Sequence, residues 1–333
     1  MSKETCVGDL KFRIEQALLP IVTSDYILLD LPYYSNIGDA LIWKGTETLL
    51  SKLPYHCLYR SSIRTFEFQP LPSNVVILMM GGGNFGDLYP RHNAFRKKIL
   101  ELYPDNHVIV LPQTVYYEAA KNARRDACSF RKHKHLTIFA RDKYSYRFLI
   151  AFRFSSDVRL MPDMAFCINM EWLKGLSLQA TGKTLYFKRI DKELNVLEEN
   201  ELSERCDVCD WPLYGQSDPK LRHLYSLIDA KHFAEADDYA VNTYLPERVR
   251  AGIEFISQYN KIYSNRLHGA ILSILLGKKV VILDNSYGKN RQYYNSWLKD
   301  VDAVSLSPVT RKYDLMRLIR FSVHCILSYI PIR

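Results

Sequence analysis

One stretch decides how this chain folds: KIYSNRLHGAILSILLG, residues 261–277. Its succession of apolar, polar and again apolar residues predicts a strand end, a tight turn and a helix that stops at Gly277. The N-terminus of a helix exposes unpaired N–H groups and attracts anions. Arg266 adds a planar fork suited to carboxylate or phosphate, and His268 can move a proton near neutral pH. An isolated Arg-x-His is more often a structural clamp beside a satisfied turn residue, so the rest of the chain must decide.

The composition excludes several classes of protein. Of the 333 residues, 47% are hydrophobic and 24% charged, which is typical of a soluble globular protein long enough for two domains. The net charge of +9 favours anionic partners. Because the basic residues are scattered and no zinc-finger or RNP motif occurs, nucleic acid is not expected. The 23 Tyr and 15 Phe suit either a core or a sugar-stacking face.

The cysteines and the N-terminus indicate the compartment. The seven Cys are spread widely, no secretory signal opens the chain, and no apolar run reaches the length of a membrane span. We therefore expect reduced thiols and a cytoplasmic location. Cys206 and Cys209 form a lone C-x-x-C without the four ligands of a structural zinc site, so we predict surface thiols and no metal site.

The N-terminal half repeats a strand, a polar loop and a helix. Residues 26–31 form an apolar strand, and the following loop leads through Asn36 and Gly38 to a helix. Asp39 is interpreted either as the N-cap of that helix or as a substrate contact. The buried strand 74–80 runs into GGGNFGD, residues 81–87, which lets a ligand approach closely or simply packs a helix on a strand.

Two further strands complete this half, residues 107–111 and 136–140. Arg141 follows the second of them, where open α/β sheets bind ligands at the carboxyl ends of their strands. The alternative for Arg141 is an ion pair with Asp142 or Asp87. The repeating pattern predicts a doubly wound domain over residues 1–170.

A second domain is predicted over residues 183–305, after a linker at 171–182. Its strand 184–187 ends near Arg189, and residues 192–222 suggest an irregular, mobile surface excursion. Strands 261–263 and 279–283 bracket the helix of the opening stretch, and a loop carrying Lys289 follows. The tail, residues 306–333, has the spacing of a basic amphipathic helix. We expect it to dock on the neighbouring domain, with a membrane surface as the alternative.

Taken together, these loops resemble the polysaccharide pyruvyl transferase family. Seven segments carry the resemblance, in the family's order: NIGD at 36–39, GGGNFGD at 81–87, LPQT at 111–114, ARD at 140–142 with Ser145 and Tyr146, Pro162-Asp163, SNRLHG at 264–269, and YGK at 287–289. Each segment is weak alone, whereas seven in order are fairly specific.

The resemblance implies two Rossmann-like, doubly wound domains that face each other across a cleft, as in the GT-B glycosyltransferases. It implies phosphoenolpyruvate as donor, no tightly bound cofactor, and a saccharide acceptor whose hydroxyl pair becomes a pyruvate ketal. The family's Arg-Leu-His segment falls on Arg266, Leu267 and His268, and its acid on Asp39. Its other donor-site arginine falls on Arg141, or alternatively on Arg189.

As a hypothesis, His268 supplies or relays a proton, Asp39 acts on the sugar hydroxyl, and cationic side chains hold phosphate and carboxylate. Together with Arg266, Arg141 and Lys289, the substrate-binding residues we predict are Asn36, Gly82, Gly83, Asn84, Gln113, Arg189, Asn265 and Leu267. The acceptor is a polysaccharide hexose, free or lipid-linked at the inner face of the membrane.

Two other functions fit the same pattern. A nucleotide-sugar-dependent glycosyltransferase would need a pocket for the base and an acid for the ribose, for which Asp284 is the candidate. A non-catalytic sugar-binding protein of the same fold would have lost the polar loop ends, yet Asp39, Arg141, Arg266 and His268 are all present.

Overall fold

A computed structural model of the chain describes residues 2–191, 193–194, 205–212 and 217–307. Apart from its first two residues, the predicted C-terminal helix at 306–333 lies outside these residues. Within them, no helix combines the length and apolarity needed to cross a membrane.

The N-terminal sheet has seven described strands, all paired in parallel, in the order β2-β1-β3-β5-β6-β7, with β4 beside the second half of β5. These strands are β1 Tyr26–Leu29, β2 Cys57–Ser61, β3 Val76–Met79, β4 Gly82–Gly86, β5 Val108–Tyr116, β6 Leu136–Ala140 and β7 Asp157–Leu160. The central β1, β3 and β6 are buried at every position, which is why they are continuous apolar runs.

The C-terminal sheet has five described strands, also paired in parallel, in the order β12-β11-β10-β8-β9. They are β8 Lys183–Phe187, β9 Asp207–Cys209, β10 Tyr259–Ser264, β11 Lys279–Ile282 and β12 Val304–Leu306. The parallel sheets and their covering helices confirm the predicted α/β class and are consistent with a Rossmann-like fold.

The described helices connect the strands and cover the sheets. They are α1 Lys3–Leu18, α2 Ile37–Leu50, α3 Pro90–Leu102, α4 Ala120–Phe130, α5 Lys143–Phe152, α6 Met170–Leu176, α7 Pro219–Asp229, α8 Phe233–Tyr239, α9 Leu245–Ser257, α10 Leu267–Leu275 and α11 Lys289–Tyr293. One π-helical turn, Ala240–Tyr244, joins α8 to α9, and another, Tyr294–Leu298, follows α11.

Each sheet reverses its direction of winding once. In the N-terminal sheet the chain moves from β1 to β2 on one side, and β3 then adds on the other side of β1. In the C-terminal sheet, β9 and β10 flank β8 in the same way. A crevice opens at such a switch point outside the carboxyl ends of the strands, and α/β proteins bind ligands there. Among the described strands, the fold therefore has one such switch point in each half of the chain.

Helix α10 links the two sheets through the core. All nine of its residues are buried, as expected for a helix that is apolar on every side. It contacts β10, β11 and α9 of its own half, and also α1 and α2 of the N-terminal half. One continuous apolar cluster accordingly runs from Leu28 in β1 to Leu185 in β8.

Several predictions about elements were wrong. The supposed linker at 171–182 contains most of α6, which is capped by Asn169. The glycine loop at 81–87 is largely strand β4, held by pairing to β5. Within the supposed excursion at 192–222, residues 207–209 form the edge strand β9, and Trp211 is buried against Phe187. The prediction for residues 195–204 and 213–216 lies outside the described residues.

Candidate active site

The loops at the two switch points line one cavity of about 350 Å³. Its lining residues from the N-terminal half are Tyr34, Ser35, Asn36, Asp39, Gly83, Asn84, Tyr89, His92 and Arg141. Those from the C-terminal half are Arg189, Glu193, Trp211, Arg266, Leu267, His268 and Lys289. Ten of the thirteen predicted site residues are among them.

His268 lies at the N-terminus of α10, two residues after the N-cap Arg266. Its Nε2 donates to Oδ2 of Asp163 at 3.1 Å, and the same ring nitrogen lies 3.5 Å from Nη1 of Arg141. Asp163 is fully buried behind the cavity. A carboxylate on one ring nitrogen fixes the orientation of the imidazole, as in other acid–base sites.

Arg141 makes a buried ion pair, but not with either of the expected partners. Its Nη1 donates to Asp163 at 2.8 Å, while Asp142 caps α5 and Asp87 accepts from the backbone N–H of Glu118. Burial alone would raise the pKa of Asp163, but His268 and Arg141 outweigh this effect and hold that pKa well below its usual range. Asp163 is thus an ionised carboxylate between a histidine and an arginine.

The guanidinium of Arg266 forms ion pairs with two carboxylates. It forms a two-pronged pair with Asp210, directly after β9, and its Nη2 lies 3.1 Å from Asp191. The structural clamp that the sequence offered as an alternative therefore exists. Because Arg266 also lines the cavity, the clamp fixes a guanidinium at the wall of the site.

Arg189 and Lys289 form a second cationic group on the same wall. Arg189 pairs with Asp191 at 2.7 Å and with Glu193 at 2.8 Å. Lys289, the first residue of α11, contacts the same Glu193 at 2.7 Å. The described part of the cavity thus combines four basic side chains, counting Arg141 and Arg266, with buried acidic partners.

Asp39 lies in the first turn of α2. The N-cap of this helix is Asn36, whose side-chain oxygen accepts from the backbone N–H of Gly38 at 3.1 Å. The interpretation of Asp39 as the N-cap was therefore wrong. Asp39 instead accepts from Nδ2 of Asn36 at 2.8 Å and faces the cavity from the first turn of the helix.

The glycine segment approaches the site with its backbone. Gly82 has a φ of 139°, which only glycine adopts easily, and a Cβ there would lie 3.5 Å from Oδ1 of Asp39. Gly83 and Asn84 line the cavity itself.

Three predicted substrate-binding residues lie behind the cavity wall. Gln113 is fully buried and donates to the carbonyl oxygen of Met80 at 2.8 Å. Asn265 accepts from the backbone N–H of Arg189 at 2.8 Å and so positions that residue. Together with Gly82, they support the residues that reach the cavity.

Sequence reasoning missed a histidine on the N-terminal side. His92, from α3, lines the cavity beside the rings of Tyr34 and Tyr89, and its Nδ1 lies 2.6 Å from Asp30. Asp30 is buried with a φ of 68° and also pairs with Arg96. Nothing around His92 in the sequence distinguishes it from an ordinary helical residue.

The acidic partners were missed as well. Asp210 follows a strand of three residues, too short to produce a hydrophobic period. Glu193 lies in a charged segment without pattern, and Asp163 was noted only as part of the Pro162-Asp163 segment of the resemblance. Within the described residues, no group of three His, Cys, Asp or Glu side chains is arranged to hold a metal ion, and the described cysteines are free thiols.

The fold and the site define an α/β protein with a cavity lined by four basic side chains and their acidic partners. The sequence model of the family described as polysaccharide pyruvyl transferase matches residues 36–287. The chain belongs to this family, as the resemblance implied, and is accordingly a transferase.

Individual relatives agree with this assignment. The chain is 34% identical over 290 residues to "Putative pyruvyl transferase EpsO" of Bacillus subtilis, covering 85% of this chain and 88% of that protein. It is 27% identical to "Pyruvyl transferase 1" of Schizosaccharomyces pombe, over 86% of this chain and 73% of the relative. The crystal structure of a functionally uncharacterised Klebsiella pneumoniae protein superimposes with a TM-score of 0.63 and 21% identity, over 90% of this chain and 99% of that one. This last likeness concerns the fold alone.

Proposed function

We propose that this transferase moves the pyruvyl group of phosphoenolpyruvate onto a hexose of a cell-surface polysaccharide or its lipid-linked precursor. The products are a cyclic pyruvate ketal and inorganic phosphate. One observation carries the proposal: Arg141, Arg189, Arg266 and Lys289 line a single cavity together with His268. Phosphoenolpyruvate bears a phosphate and a carboxylate, and guanidinium and ammonium groups bind both.

The chemistry needs one proton delivered and two hydroxyls added. His268 supplies or relays a proton to the methylene carbon of the enol while a sugar hydroxyl bonds to C2, and the proton that this hydroxyl releases replaces the one that His268 gave up. The bond from C2 to the phosphate oxygen then breaks, and a second sugar hydroxyl takes its place. The proton released by this hydroxyl leaves with the phosphate. Asp39 also lines the cavity, where it would orient or deprotonate a sugar hydroxyl.

We propose a division of labour between the two halves, with residues 1–170 and 183–305 as Rossmann-like domains in a GT-B-like arrangement. Arg189, Arg266 and Lys289 belong to the C-terminal half and would hold the donor, helped by Arg141. Tyr34, Tyr89 and His92 offer aromatic rings and polar groups on the N-terminal half, which suit a sugar.

The proposed reaction uses no tightly bound cofactor, so EDTA is expected to leave turnover unchanged. Attachment of residues 306–333 to the membrane would bring the enzyme to a lipid-linked acceptor. This attachment is a prediction from the sequence, because all but the first two of these residues lie outside the described part of the chain.

Transfer from a nucleotide sugar is the competing function. Its candidate ribose-binding acid, Asp284, accepts from the backbone N–H groups of Asn285 and Arg291 and lies 3.4 Å from the Arg291 side chain. Asp284 is not among the residues that line the cavity. This placement favours the pyruvyl transferase.

The test measures phosphate release from phosphoenolpyruvate with a panel of galactosides and glucosides. Release that depends on the acceptor is the expected result. Release of UDP or GDP from nucleotide sugars, with no phosphate from phosphoenolpyruvate, would establish the competing function instead. His268→Ala should lower turnover by ~10²–10⁴-fold if general acid catalysis contributes its usual share. Replacement of the exposed His135 by Ala is the matched control and should have no effect.

A further inference from the structure

A glutamate fills the cationic end of the cavity. Glu193 follows β8 by a few residues, and its side chain is only 7% exposed. Its backbone oxygen accepts from the N–H of Ser286 at 3.0 Å. The donors that converge on its Oε2 are Lys289 Nζ at 2.7 Å, Arg189 Nη1 at 2.8 Å, Tyr287 OH at 3.0 Å and Asn285 Nδ2 at 3.1 Å.

Four donors are more than one carboxylate oxygen accommodates well. Each oxygen of an ionised carboxyl group offers about two lone-pair sites, and within the described part of the chain the other oxygen of Glu193 accepts only from Tyr89 OH, at 3.2 Å. A phosphate group presents three strongly accepting oxygens. The four donors could be shared among these oxygens, so the cluster suits a phosphate better than the side chain it holds.

Charge leads to the same conclusion. Burial alone would raise the pKa of Glu193, but the charges of Lys289 and Arg189 hold it well below its usual range, so the carboxylate is ionised. Tyr287 stays protonated as a donor, because burial and the nearby Glu193 raise its pKa well above the usual value. A phosphate entering beside Glu193 would meet a second anion at contact distance, so one of the two has to leave.

We propose that Glu193 is an internal stand-in for the phosphate group of the donor, and that the donor displaces its carboxylate from Lys289, Arg189, Tyr287 and Asn285. The identity of the donor rests on the proposed function. The hydrogen bond from the backbone N–H of Ser286 to the carbonyl oxygen of Glu193 can persist while the side chain rotates away. The four donors bind Glu193 only through its carboxylate. Glu193 then weakens the binding of every phosphate-bearing ligand, including product phosphate, and so assists product release.

The test is the equilibrium affinity of inorganic phosphate for the full chain, measured by calorimetry in the wild type and in Glu193→Gln. The amide keeps the size of the side chain but removes the competing charge. We expect phosphate to bind about 10-fold more tightly or better, which is the effect of one hydrogen bond to a charged group. Pyruvate, which has a carboxylate but no phosphate, should gain less. Unchanged or weaker phosphate binding by the folded variant would overturn the proposal.

Two further variants complete the design. Glu47→Gln removes the carboxylate of a half-buried ion pair with Arg60, outside the cavity, and should leave phosphate affinity unchanged. If Glu193→Gln fails to fold, Glu193→Asp keeps the charge and shortens its reach toward Lys289. It should tighten phosphate binding in the same direction but less, and no tightening in this variant would equally overturn the proposal.

Phosphate binding requires no turnover, so the two hypotheses can fail separately. Tighter phosphate binding without any pyruvyl transfer would support the role of Glu193 and overturn the proposed function. Pyruvyl transfer with unchanged phosphate affinity would do the reverse.

Discussion

Gly38 and His268 are in direct contact across the cavity floor: a Cβ atom at position 38 would lie 2.7 Å from Nδ1 of the histidine. Gly38 is the second residue of α2 and His268 the second residue of α10. The N-termini of two helices, one from each half of the chain, thus meet at the imidazole. The glycine of the NIGD segment is required by this approach.

Gly38→Ala should therefore impair catalysis more than folding. The added methyl group must push the His268 ring aside, and a displaced catalytic group lowers turnover by about 10- to 100-fold. Alanine's advantage within a helix, about 0.5–1 kcal/mol, offsets part of the strain. The measurements are kcat and the melting temperature. Gly8→Ala in α1, where nothing lies within 4 Å of the new methyl, is the control and should stabilise without affecting kcat. Full activity of Gly38→Ala would contradict this role.

Asp163→Asn should destabilise the protein by about 3–5 kcal/mol, because it leaves the guanidinium of Arg141 buried without its counter-ion. Chemical denaturation gives this difference. Asp9→Asn, which breaks the exposed pair with Arg13 on α1, should cost less than about 1 kcal/mol. Comparable losses of stability in both variants would show that the buried ion pair stabilises the protein no more than the exposed one.

The effect of Asp163→Asn should also depend on pH, with a definite sign. The folded protein lowers the pKa of Asp163 below its ordinary value of 3.8, so this carboxylate stabilises the fold fully above that value. The stabilisation is lost as the pH falls below about 4. The variant has no such group to protonate, so its stability deficit should shrink in acid. A deficit that stays constant from neutral to acidic pH would be inconsistent with an ionised Asp163.

Lys289 should set the alkaline limit of activity. Burial lowers its pKa below that of an ordinary lysine, although Glu193 partly opposes this shift. An uncharged amine binds phosphate poorly, so kcat/KM for phosphoenolpyruvate should fall as the pH rises through the lowered pKa. Lys289→Arg, whose guanidinium remains charged, should move this limb to higher pH. An identical pH profile for the two proteins would assign the alkaline limb to another group.

His92→Gln should affect the acceptor rather than the donor. His92 lies beside the rings of Tyr34 and Tyr89 and pairs with Asp30. Loss of the imidazole's hydrogen bond to the sugar should raise KM for the sugar about 2- to 10-fold and leave KM for phosphoenolpyruvate unchanged. His56→Gln, at an exposed position, serves as the control. A rise in KM for phosphoenolpyruvate alone would show that His92 contributes to donor binding and not to acceptor binding.

The sequence was informative where one physical rule dominates. Strands buried on both faces are apolar runs, so β1, β3 and β6 were predicted within two residues of their ends. The residues that follow the carboxyl ends of parallel strands line the cavity, and the predicted residues Arg141, Arg266 and His268 are among them.

The counter-ions could not be predicted in the same way. Asp210 reaches Arg266 from a position 56 residues earlier in the chain, and Asp163 reaches His268 across 105 residues. Such pairs depend on how the two halves pack, and no local pattern encodes that packing. Strand β9 was not predicted for a related reason: its three residues derive their conformation from pairing with β8, not from their own composition.

The complete burial of α10 between the two halves has a consequence for engineering. Dividing the chain near residue 175 would separate α10 from α1 and α2, which cover one of its apolar faces. Each fragment would then expose a hydrophobic surface. Split-enzyme complementation and domain exchange among relatives would therefore have to transfer the first fifty residues together with the C-terminal sheet. The first fifty residues and the C-terminal sheet therefore form one structural unit, and His268 lies where they meet.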